Sequence, residues 1–277
     1  FSSGKSFKSS NLASLIKHNT NNFLLKAYDG KRGYVAEIKK DKNKSISVEL
    51  NNNKTVRSKL IKEFPCTPIH NNTFSFADAS PDFRRKLLDR SIFIAEEEFP
   101  KAWFSYHRAL KQRNHMLKNN RISDIYAWNN KLSQDGEMLS KFRSNFFDKT
   151  LQEFKILLKR LEPNNIFDFF ESISINFSQG WSEENTLFQS LEKNEQKDLQ
   201  RKTTTKGPHK SDIKFLINEI DARQILSRGE QKFFSILWSC AQHEVLKKHY
   251  QIEASLIIDD IKSELDDRVF SLFIELL

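Results

Sequence analysis

The chain has 277 residues, 45 Lys/Arg against 36 Asp/Glu and a net charge of +9, enough for one large domain or two ordinary ones. No apolar run approaches the roughly 20 residues of a membrane span. Two cysteines, Cys66 and Cys240, give neither a disulfide framework nor a metal spacing, so a reducing cytoplasm is the simple expectation.

In chain order, Ser3-Gly4-Lys5-Ser6 looks like the tail of a phosphate loop, but only three residues precede Gly4, so the first glycine of that motif has no place; it reads as a basic loop. Phe23 to Tyr28, Gly33 to Ile38 and Ser45 to Leu50 read as strands separated by Asp29-Gly30 and ended by Asn51-Asn52-Asn53, a small antiparallel sheet. Residues 1–62 hold fourteen Lys/Arg against four Asp/Glu, and the rest is close to neutral. That asymmetry fits a polyanion such as nucleic acid, or a solvated surface in a Lys- and Asn-rich chain.

Ser80 with Pro81 opens a helix carrying Phe83, Leu87, Phe93 and Ile94, and helical spacing resumes after Pro100 through Trp103, Tyr106, Leu110 and Leu117. A long helix runs from about Trp128 to Leu161 and stops at Glu162-Pro163. Ile166 to Phe177 is strand-like, and 182–206 reads as a polar helix plus a mobile loop. The last part alternates strand (213–217), helix (230–248), strand (254–258) and helix (263 onward), an α/β pattern on a mixed or parallel sheet. Phe1 is not a start, and Leu277 falls inside the apolar pattern of Phe270, Phe273 and Ile274; the chain reads as an internal fragment.

Two stretches carry chemistry. Ser227-Arg228-Gly229-Glu230 has the form of an ordinary capping box, and also of a glycine turn that offers backbone N–H groups to a phosphate. Leu256-Ile257-Ile258-Asp259-Asp260 is a strand ending in acids, which meet solvent or, alternatively, serve Mg²⁺ and the attacking water. With Ser263-Glu264-Leu265-Asp266 following, their order and spacing resemble the late half of an ABC-type ATPase head. The early half, a phosphate loop, is missing.

Further motifs resemble the RecF family, related to SMC and Rad50 heads. They are Gly4-Lys5-Ser6-Phe7-Lys8-Ser9, Ser80-Pro81-Asp82-Phe83-Arg84-Arg85-Lys86-Leu87-Leu88-Asp89, Tyr106 to Asn114 (YHRALKQRN) and Gly207-Pro208-His209-Lys210-Ser211-Asp212. The chain departs from the family at Asn71-Asn72, where Pro-Glu is usual, and at Ala79-Ser80, where glycine is usual. The resemblance implies an incomplete ABC-ATPase-like (SMC/Rad50-type) head, α/β with a helical insertion. Its expected parts are a β subdomain and following helix over 1–97, a helical arm over 98–206 and the C-terminal part of the head over 207–277.

By the same resemblance the cofactors are ATP and Mg²⁺, and the partners are single- and double-stranded gapped DNA, RecR, RecO and RecA. A homodimer forms with ATP, and no membrane is involved. Ser227, Arg228, Gly229 and Glu230 would meet the ATP of a second copy, Asp259 would hold Mg²⁺, and Asp260 would support slow hydrolysis. Ser263 and Asp266 would lie at the dimer interface. Arg84, Arg85, Lys111 and Arg113 are DNA candidates, with surface charge or an intramolecular pair as the alternative. The full-length protein would be a weak ATPase and this fragment inactive; a decayed head that binds DNA or protein without nucleotide turnover is the other reading.

Overall fold

The computed structural model describes residues 11–70, 76–121, 124–161 and 172–276. Ser3-Gly4-Lys5-Ser6, the Gly4–Ser9 motif and Asn71-Asn72 lie outside them. After a one-turn 3-10 helix at Leu12–Leu15, strands β1 (Asn22–Asp29), β2 (Tyr34–Asp41), β3 (Ser47–Leu50) and β4 (Asn53–Lys54) form an antiparallel sheet in that order; the sequence predicts the first three, and the short β4 is an addition to them. Ala36, Ile38, Val48 and Leu50 point to one face and close a small core with Leu60 of helix α1 (Arg57–Glu63). Period-two patterning is sufficient here because one face is buried and the other wet.

A second, larger core runs from Ile69 to Phe273 and draws on all three expected segments. Helices α2 (Pro81–Ala95), α3 (Phe99–Lys118) and α4 (Ile125–Leu161) pack together beside α8 (Arg228–Tyr250). Ser80 caps α2 by accepting from the N–H of Phe83, and Pro81 occupies the first turn, as read from the sequence. The centre is aromatic: Trp238 of α8 lies within 6 Å, ring centre to ring centre, of Phe76, Phe147 and Phe154. Gly136 of α4 has a packing reason, since a Cβ there would land on Leu187 and press on Tyr106.

Four expectations need correction. Residues 187–201 form two short helices, α5 (Leu187–Lys193) and α6 (Glu195–Arg201), and the segment after them is pinned rather than mobile: Thr204 is fully buried. The strand β7 (Asp212–Ile217) is not in a parallel sheet. It is the middle strand of an antiparallel sheet with β6 (Ile173–Ser178) and β8 (Ile220–Asp221), which leads into the short helix α7 (Ala222–Ile225). The parallel pairing belongs to β9 (Ser255–Ile258) and an unforeseen strand, β5 (Cys66–Ile69). The last helix, α9 (Asp267–Leu276), begins after a one-turn 3-10 helix at Ile261–Ser263.

Proline in β5 is tolerated for a geometric reason. The carbonyls of Pro65 and Ile69 accept from the N–H groups of Ser255 and Asp259, so the alternation turns the nitrogen of Pro68 to the opposite edge.

Candidate functional site

The turn before α8 is built from local contacts. Leu226 is buried and anchors it, and Gln231 donates its side-chain amide to the Leu226 carbonyl at 2.9 Å. The Ser227 hydroxyl accepts from the Glu230 N–H at 3.3 Å, while the Glu230 carboxylate accepts from the Ser227 N–H at 2.7 Å, a complete capping box. Capping uses a lone pair of Ser227 Oγ and leaves its O–H free to donate. A helix start also leaves its first N–H groups without intrahelical acceptors; here these belong to Arg228 and Gly229, and all of Ser227, Arg228 and Gly229 are exposed.

Gly229 is informative because nothing inside the chain requires it. Its φ is not in the left-handed region, and a Cβ there would meet no atom within 4 Å. The missing side chain keeps the surface open to an approach from outside.

Further along the chain, β9 delivers two acids. The Asp259 N–H donates to the Ile69 carbonyl at 2.9 Å, which fixes the strand end; Asp259 is half-buried and Asp260 exposed. Asp260 has φ 60°, a left-handed conformation that Asp tolerates better than most residues and that turns the chain sharply. Ser263 closes the turn by donating its hydroxyl to the Asp260 carbonyl at 2.8 Å, and Asp266 caps α9 by accepting from the Val269 N–H at 2.9 Å.

Ser227, Gly229, Glu230 and Asp266 line one cleft of about 280 Å³, together with Leu265, Arg268 and Val269. Lys232, one turn into α8, pairs with Glu264 and ties the two sides of it together. The glycine turn and the Ser263–Asp266 turn therefore share a surface. Asp259 and Asp260 do not line that cleft; they stand at the tip of the β5–β9 pair. Carboxylate ends of parallel strands are where α/β folds bind ligands.

One residue at that tip carries no signal in the sequence. His70 follows β5 directly, opposite Asp259 in the parallel register. Burial pulls its pKa below the ordinary value and nearby Arg90 adds to this, while the Asp259 carboxylate pulls the other way, placing the imidazole in that carboxylate's field. Among the described residues no three His, Cys, Asp or Glu side chains gather to hold a metal on their own. One or two carboxylates at an open strand end suit Mg²⁺, which takes the rest of its ligands from phosphate and water.

The arginine motifs lead elsewhere. Arg84 makes a two-pronged contact with Asp212 (2.8 and 2.9 Å), and Arg143 makes another with Asp89 (2.7 and 2.8 Å). Arg143 also donates to the Pro208 carbonyl, and Arg85 to that of Ser211, both at 2.6 Å. Arg113 is fully buried, donating to Asn129, Asp198 and Thr204.

His209 sits between two partners. Its Nε2 lies 2.9 Å from the Thr204 carbonyl, which can only accept, so Nδ1 is the acceptor for the Tyr106 hydroxyl at 2.6 Å. Burial holds this imidazole neutral and pushes its pKa down to about 4. Gly207, at φ 132°, lies so close to Tyr106 that a Cβ would come within 2.7 Å of its hydroxyl. Arg84 and Arg113 thus take the alternative of an intramolecular pair, and Arg113 is out of reach of any DNA phosphate. Arg85 is largely covered, and of the four candidates only Lys111 is exposed.

No family model matches the sequence. The DNA replication and repair protein RecF of Francisella tularensis subsp. tularensis (strain WY96-3418) is 31% identical over 271 residues, covering 96% of this chain and 75% of that protein. The protein of the same name from Shewanella denitrificans is 28% identical over 267 residues, covering 95% and 72%. A solved structure of the recombination mediator protein RecF-ATP superposes with a TM-score of 0.82 at 23% identity, over 99% of this chain and 76% of that one. The fold is the ABC-ATPase-like head that the sequence motifs imply.

Proposed function

Because this chain belongs to the RecF family, we propose that the full-length protein is an ATP-dependent DNA-binding protein of recombinational repair and replication. It binds single- and double-stranded DNA at gaps and promotes RecA loading with RecO and RecR. Two heads close on ATP, and hydrolysis resets binding. The observation that carries this reading is the exposed turn at Ser227–Gly229, which shares a cleft with Asp266 and has no side chain to block a second molecule.

The roles follow from the chemistry of each group. The Ser227 hydroxyl and the N–H groups of Arg228 and Gly229 donate to the terminal phosphate of ATP held by the other copy, helped by the positive end of α8. Glu230 holds Ser227 in place. Asp259 supplies a carboxylate oxygen to Mg²⁺, which when bound neutralises phosphate charge. Asp260 orients the attacking water, and Ser263 and Asp266 shape the turn that crosses between copies. That the acids and the glycine turn do not line one cleft within a single copy suits a site assembled from two.

Sedimentation velocity of the full-length protein tests this. A monomer in ADP and a dimer in ATP with Mg²⁺ is the expected result. A monomer under every nucleotide condition, with DNA still bound, would leave a binding module without nucleotide turnover.

A further inference from the structure

The surplus positive charge of the N-terminal sheet is concentrated at one end of it. Pairing of Lys39 with both Leu24 and Ser47, and of Asn22 with Asp41, puts the β2–β3 turn and the segment before β1 at the same end. The Lys42 N–H donates to the Asn21 carbonyl at 2.8 Å, so residues 17–22 and 39–44 form one surface. Lys17, Lys39, Lys42 and Lys44 are exposed there, and among the described residues none of the four has a carboxylate partner. Lys40 folds back onto the carbonyls of Asp41 and Lys44 and shapes the turn; Asp41 is the one acid within 39–44.

The opposite end is different. Arg32 is held by Asp29 (2.6 Å) and Glu63 (3.1 Å), and Lys31 meets Glu253 at 3.3 Å. On the outward face Lys26 is paired with Glu37, and Glu49 stands opposite Lys54. Lys26, Lys31 and Arg32 of the far end and face are therefore answered by carboxylates within the chain, and the four lysines of the near end are not.

We infer that this lysine tip, residues 17–22 and 39–44, is a docking surface for a nucleic-acid phosphodiester backbone. The inference rests on the DNA-binding reading above and locates it. Ammonium groups on a turn and a loop, with no helix to enter a groove and no recurrent aromatic between them, contact phosphates without reading bases. An ammonium already paired with a carboxylate gains little from a phosphate, whereas an unpaired one releases a condensed counterion from the nucleic acid.

The test uses the full-length protein with ATP and Mg²⁺, a fluorescent DNA duplex, and anisotropy titrations across a salt series. The variant K39Q/K42Q/K44Q is compared with K101Q/K118Q/K155Q, which removes the same charge from exposed positions on the helical arm. The tip variant is expected to bind at least about tenfold more weakly at 0.1 M salt, with a log–log salt slope shallower by roughly 0.9 for each phosphate that is no longer neutralised. The arm variant should match the wild type.

Equal losses in both variants, or no loss in either while the wild type binds DNA, would overturn the tip assignment and leave DNA binding standing. A wild type that binds no DNA would instead remove the reading on which the inference rests. Poly-glutamate in place of DNA, bound with equal affinity and the same dependence on the three lysines, would overturn the assignment to nucleic acid.

Discussion

The buried joint around Arg84, Asp89, Arg113 and Arg143 and the open turn at Ser227–Gly229 are both polar, and both include motifs by which the sequence resembles the RecF family. What separates them is satisfaction. In the joint, most guanidinium N–H groups are met by carboxylates or carbonyls at 2.5–2.9 Å, and Arg113 is wholly enclosed, with only its Nη2 lacking a partner among the described residues. At the turn the capping box is complete, yet a hydroxyl proton, the N–H groups of Arg228 and Gly229 and the space above Gly229 face outward. Buried polar groups whose donors are mostly used hold elements together, and groups with unused donors on an exposed surface are available to a ligand.

The comparison breaks first at the joint. Arg113→Met would strand the Asp198 carboxylate in the interior, and the expected loss is about 3–5 kcal/mol of folding stability, read by urea denaturation. Adding Asp198→Leu should recover most of that loss. A single variant within 1 kcal/mol of wild type, as a rough margin, would mean that the pair is not structural.

Acid should attack the same region. His209 is neutral when folded, with its pKa pushed down to about 4 from an ordinary value near 6.5. Above about 6.5 neither state carries the proton, and the stabilisation is intact. Between 6.5 and 4 the unfolded chain takes up a proton that the folded chain refuses, so stability falls as pH falls, by an order of 3 kcal/mol in total. Melting temperatures of wild type and His209→Gln across that window measure it. A wild-type profile no steeper than that of the variant would contradict the assignment.

The turn should respond more weakly in stability and more strongly in assembly. Ser227→Ala removes the cap and should cost about 1 kcal/mol, while Ser227→Thr, which can still cap, should cost less. Gly229→Ala should change stability by under about 0.5 kcal/mol, since the added methyl meets nothing in the chain. On the proposed site the same methyl would stand where the second copy's phosphate approaches, so ATP-dependent dimerisation should weaken. Loss of folding without loss of association in Gly229→Ala would reverse the two roles.

The sequence made the local features legible and left their long-range partners hidden. Ser227 to Glu230 and the acid-tipped strand could be read because a cap and an apolar strand are written in neighbouring residues. The Arg84 motif was visible as a motif, but its partner Asp212 lies 128 positions away, and nothing in the motif distinguishes a DNA contact from an interior pair. Strand β5 was missed because Cys66-Thr67-Pro68-Ile69 is short, contains proline and acquires strand geometry only by pairing with β9. His70 shows no sequence signal at all: its place beside Asp259 follows from that same parallel register. The segment at 202–206 read as loop by composition, and the Arg113–Asp198–Thr204 contacts fix it.

The central claim is that each nucleotide site takes its glycine turn from one copy and its acids from the other. Mixing two full-length variants, Gly229→Glu and Asp259→Asn, each defective alone, tests it most directly by ATP hydrolysis of the mixture. Recovery of activity on mixing is predicted, because a mixed dimer contains one site with both parts intact. No recovery, with mixed dimers shown to form, would contradict it.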